Sequence, residues 1–69
     1  MQDAELIRMA NQIADFFQPY EAEEAIEGVA THIKSFWEPR MRTQLFAIAD
    51  CAPDQFCEPV RAAIARLRH

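Results

Sequence analysis

Phe36-Trp37-Glu38-Pro39-Arg40-Met41-Arg42 is the stretch on which the fold turns. A proline disfavours helical geometry in the residue before it, yet at the first position of a helix its missing N–H costs nothing, so Glu38-Pro39 reads as a joint between two helices. Phe36 and Trp37 then close one helix, while Arg40 and Arg42 open the next. For function the same stretch has two readings. It is either a corner of the core with two solvated arginines or a contact surface, because aromatics and arginine dominate protein–protein contacts.

Upstream of the joint, Ala22, Ile26, Val29, Ile33 and either Phe36 or Trp37 form an apolar stripe of helical period. The acids Glu21, Glu23 and Glu24 suit the positive end of that helix's dipole. Gly28, the single glycine, lies inside the helix; it marks a close approach of another backbone or is simply tolerated at a cost of about 1 kcal/mol relative to alanine. Gln18-Pro19-Tyr20 breaks the chain before it. Earlier still, Leu6, Ala10, Ile13 and Phe17 share one face of a first helix expected over residues 4–17, with Asp3 as its N-cap.

Downstream, a third helix is expected from Pro39 to about Ala49, with Met41, Leu45 and Ile48 inward, Arg40, Thr43 and Gln44 largely outward, and Arg42 on the border. Asp50 to Gln55 reads as a loop and Phe56 as an apolar plug. Val60, Ile64 and Leu67 face inward from a last helix whose Arg61, Arg66 and Arg68 point elsewhere. No repeat and no strand-like alternation interrupts the pattern. The expectation is an all-α fold, a single domain over residues 1–69 built from about four short helices.

A chain of 69 residues is short of material for a core. It buries about 60% of its unfolded surface, and one such core rarely supplies more than about 3–5 kcal/mol. Two cysteines and two histidines are too few for a disulfide-dense or zinc-supported scaffold, which leaves docking onto a larger partner as the support. The 51% apolar composition argues against disorder. Cys51 and Cys57, with five residues between them, fit neither a redox pair nor a zinc knuckle and read as reduced thiols, one intramolecular disulfide being the alternative. No signal-like segment and no apolar run near 18 residues occurs, so a cytoplasmic location away from membranes is expected.

Charge divides the chain. Residues 1–33 carry seven acids against Arg8, whereas residues 34–69 carry six basic residues against four acids. An overall charge of −4 is poor support for binding nucleic acid, and an oriented protein partner fits better. Catalytic sets are missing too. His32 has Val29 and Gly28 at the positions three and four residues before it, neither a carboxylate, so a histidine–acid pair along the helix is not built.

The blocks Met9-Ala10-Asn11-Gln12-Ile13 and Phe16-Phe17, then Ala30 and His32 leading into Phe36–Arg42, and Val60-Arg61 with Ala63, resemble the delta subunit of NAD-dependent, molybdenum- or tungsten-containing formate dehydrogenases. The likeness extends over nearly the whole chain. It departs before the last helix, where that family usually has a glycine loop and a serine cap; here Cys51-Ala52-Pro53-Asp54-Gln55 and Cys57 stand in their place.

The resemblance implies a non-catalytic accessory subunit supporting assembly, cofactor loading or stability of a cytoplasmic complex. Its alpha subunit would carry molybdopterin and iron–sulfur clusters, its beta subunit FMN and the NAD site, and its gamma subunit a further cluster. The chain itself would hold no cofactor or metal. Its partner would be chiefly the alpha subunit, within the same complex as beta and gamma. The expected interface comprises Asn11, Gln12, His32, Phe36, Trp37, Pro39, Arg40, Met41 and Arg42, with Arg40 or Arg42 pairing to a partner's carboxylate or carbonyl groups. Two rival classes are a DNA-binding module using Lys34, Arg61, Arg66 and Arg68, and a free-standing regulator or homodimer.

Overall fold

A computed structural model describes residues 2–68. Helix α1 runs Asp3–Phe16, α2 Ala22–Phe36, α3 Pro39–Cys51 and α4 Glu58–Leu67, with a 3-10 turn at Pro53–Gln55. No strand occurs among the described residues. Proline sets the punctuation, with Pro39 opening α3, Pro53 opening the 3-10 turn, Pro59 in the first turn of α4, and Pro19 in the connection after α1. At the expected joint, Trp37 and Glu38 adopt extended geometry, with ψ of 137° and 152°, and Pro39 starts the next helix.

Helix α4 packs chiefly along α2, while α1 lies against both α2 and α3. One apolar cluster joins all four helices, with Leu6, Val29, Ile33, Leu45 and Val60 fully enclosed and Phe56 plugging the end below α4. Alanines at 10, 14, 25, 30 and 63 are buried as well, and their small side chains allow close helix approach. The ambiguity at the end of α2 resolves cleanly. Trp37 is 5% exposed and enters the core, whereas Phe36 is 75% exposed.

Several local expectations change. Asp3 is the first helical residue and not the cap; Gln2 takes the cap position without a side-chain bond, and the Asp3 carboxylate accepts a 2.9 Å hydrogen bond from Gln44 Nε2 that ties α1 to α3. Ala22 lies exposed at the start of α2, and Ala25, one turn closer to the core, is buried in its stead. Asp50 and Cys51 continue α3 rather than beginning the loop. The close approach at Gly28 is made by an aromatic ring and not by backbone: a Cβ there would lie 2.5 Å from Cε1 of Phe17.

Candidate functional site

The end of α1 carries two consecutive aromatics, which lie about 100° apart on a helix, and they part company here. Phe17 takes the inward place over Gly28. Phe16 is left 70% exposed. The rings of Phe16 and Phe17 meet edge to face at 5.1 Å, and Phe17 meets Tyr20 at 5.4 Å. Across from them, His32 of α2 packs against Phe36 with centroids 4.9 Å apart and ring planes tilted by 40°.

These side chains border two adjoining open grooves along α1 and α2. One, of about 480 Å³, runs from Met9 and Trp37 past Ile13 to Phe16 and His32. The other, of about 530 Å³, runs from Tyr20 and Glu24 over Gly28 to Phe36. Phe17 and His32 line both. Single exposed apolar residues are ordinary; here Phe16, Tyr20 and Phe36 border the same pair of grooves.

Of the residues expected at an interface, Gln12, His32, Phe36 and Trp37 come together on this face. Asn11 points to the other flank of α1, where Nδ2 donates to Gln55 O at 3.1 Å and Oδ1 accepts from the Cys57 N–H at 3.0 Å. It thereby caps the entry to α4, where no side chain of the helix's own cap residue does so. Arg42 turns back on α2 and donates to the carbonyl oxygens of Trp37 and Lys34, groups left over at a helix C-terminus. Met41 is half-buried against the core. Pro39 and Arg40 border a separate shallow depression with Glu38, and Arg40 makes no hydrogen bond or ion pair among the described residues.

Phe16, Tyr20 and Met9 were not singled out as interface residues from sequence. The signal was available in part, since Met9, Ile13 and Phe16 recur at spacings of four and three on one side of α1.

The sequence matches the family described as NADH-dependent formate dehydrogenase delta subunit, FdsD, over residues 5–64. The chain belongs to that family. No curated protein and no solved structure matches. The matched span runs from the first turn of α1 to Ile64 in α4 and includes every residue of the aromatic face. The family is that of a subunit within a formate dehydrogenase complex, which is an oxidoreductase of several chains.

In this member of the delta-subunit family, most arginines are already engaged within the chain. Arg66 pairs with Glu23 at 2.6 Å and Glu27 at 3.5 Å, and Arg61 donates to Phe56 O at 3.1 Å. Arg68 holds both carboxylate oxygens of Asp50, at 2.7 and 3.2 Å, and lies over the Phe46 ring. That hydrogen bond keeps the Asp50 carboxyl below its ordinary value of 3.8 and the Arg68 guanidinium above its own. His32 touches Phe36 and makes no hydrogen bond among the described residues. Among those residues no three His, Cys, Asp or Glu side chains gather as metal ligands, and no helix is long and apolar enough to cross a membrane. Cys51 and Cys57 are both exposed, at the end of α3 and the start of α4.

Proposed function

We propose that the chain is a non-catalytic accessory subunit of a cytoplasmic NAD-dependent formate dehydrogenase. It holds the larger subunits, the alpha subunit foremost, in an assembled and cofactor-loaded form. Molybdopterin, the iron–sulfur clusters, FMN and NAD belong to the alpha, beta and gamma subunits. The observation that carries this reading is the uncovered aromatic face of α1 and α2, in a chain whose family is that of a complex subunit. Apolar area left in water by so small a chain is area available to a partner. A subunit that binds only the assembled state stabilises that state by mass action.

The test compares complexes made with and without the chain, measuring activity per mole of bound molybdenum or tungsten together with the formate KM. The expected result is fewer metal-loaded complexes and lower total activity, with both normalised quantities near normal. A fall of about a hundredfold in turnover per metal, the scale of a lost acid–base group, would instead place this chain in the chemistry.

A further inference from the structure

The two adjoining grooves along α1 and α2 have the outline of a helix seat. From Glu24 to Phe36 the α2 wall is about 18 Å long at the rise of an α-helix, room for about three turns of a partner helix. Exposed rings stand at its sides, and helix-in-groove recognition uses such walls to hold apolar anchors recurring every three or four residues.

Charge selects among occupants. The charged residues lining the two grooves are Glu24 and Glu27, and Glu27 is shared with Arg66. Glu24 makes no ion pair or hydrogen bond among the described residues. Residues 1–33, which build the face apart from Phe36 and Trp37, carry seven acids against Arg8. An anionic lipid surface or a nucleic acid would meet like charge there, and a second copy would bring two acidic halves together.

We infer that the face receives one amphipathic α-helix of a larger subunit, apolar along the stripe that enters the grooves and carrying lysine or arginine beside it to meet Glu24. This rests on the proposal that the chain docks within a formate dehydrogenase assembly. Phe16 and Phe36 clasp the helix, and Glu24 sets its direction.

The complete chain is co-expressed with the formate dehydrogenase subunits and recovered through one of them. Phe16→Glu and Phe36→Glu should each lower retention at least tenfold. Both sites are exposed, and retained helix content checks that the variants fold. Glu24→Lys should weaken retention and flatten its salt dependence, while Asp54→Lys, the same charge change away from the grooves, should leave both unaltered. A photoreactive phenylalanine analogue in place of Phe36 should cross-link to one segment, at positions three and four apart, with Lys or Arg about three helical turns away on the same segment.

Full retention of the Phe16→Glu/Phe36→Glu double variant alongside the wild-type chain overturns this inference alone. So does cross-linking to a second copy, to a non-helical segment, or to one without basic residues, and so does a Glu24→Lys variant that behaves like Asp54→Lys. Failure of the wild-type chain to co-purify overturns the accessory-subunit reading and this inference with it.

Discussion

At Gly28 the cost of adding one carbon is set by a ring from another element. The new Cβ would meet three atoms of the Phe17 ring, all within 2.9 Å, so the ring must move. Overpacking costs about 1–3 kcal/mol, and the helix preference for alanine over glycine returns up to about 1 kcal/mol. Gly28→Ala should therefore destabilise by about 1 kcal/mol in denaturant unfolding. In a Phe17→Leu background the same substitution should become neutral or favourable; an equal cost in both backgrounds would show that the ring is not the cause.

Asn11 is a second residue whose work is internal. Asn11→Ala removes an N-cap acceptor and a bond to Gln55 O, and should cost about 1–2 kcal/mol. Asn11→Asp keeps the acceptor and should fall between, as a comparison of unfolding midpoints would reveal. Neither role was legible in the sequence. The partners of Asn11 lie 44 and 46 residues away, and helical period identifies a face but not what lies across from it. For the same reason the two readings of Gly28, close approach of a backbone or plain tolerance, did not include the Phe17 ring that lies over it.

Among the elements, the joint between α2 and α3 was the most readable, because proline chemistry acts within two residues. What sequence left open there was which of two adjacent aromatics turns inward, a choice settled by the extended backbone at Trp37. Arg42 completes that joint by satisfying carbonyls at the end of α2. Hydrogen bonds from a charged donor contribute about 1.5–3 kcal/mol, so Arg42→Leu should lower stability by about 1–2 kcal/mol once part of its packing is retained. Arg40→Leu, with no such bond, should stay within about 0.5 kcal/mol, as surface substitutions do. Equal losses for the two in denaturant unfolding would refute the capping role.

The clasp between α3 and α4 is electrostatic and depends on pH. Arg68 lowers the Asp50 carboxyl in the folded chain, so its contribution is present above the unfolded value, near 3.8, and is lost as pH falls through the lower folded value. The difference in thermal midpoint between wild type and Asp50→Asn should be present at pH 6 and shrink as pH drops below about 4. Added salt should shrink it as well, since both groups are exposed. A difference that stayed constant down to pH 2.5 would mean the pair contributes nothing through charge.

As a whole molecule the chain has the compactness ordinary for a folded chain of its length. Its radius of gyration is 10.7 Å. A folded chain of this size is expected at about 11 Å, so it closes a core without a partner and still leaves Phe16 and Phe36 in water. The all-α architecture, the four helices and most of the apolar stripe were legible, because period and proline placement are local properties. Of the residues expected at an interface, Gln12, His32, Phe36 and Trp37 line the two grooves. Tyr20 was not legible, since its place against Phe17 depends on how the connection after α1 folds.

Trp37 is the only tryptophan in the chain, held inside the core at the joint of α2 and α3 while its edge lines a groove. The molecule thus carries its own optical reporter. Ultraviolet emission excited in the tryptophan band comes from that single indole, so its wavelength reads the polarity at one known place. Unfolding should shift the emission to the red. If the chain melts as one unit, the fluorescence midpoint and the loss of helical circular dichroism should coincide. An earlier fluorescence midpoint would show that the joint opens before the helices do.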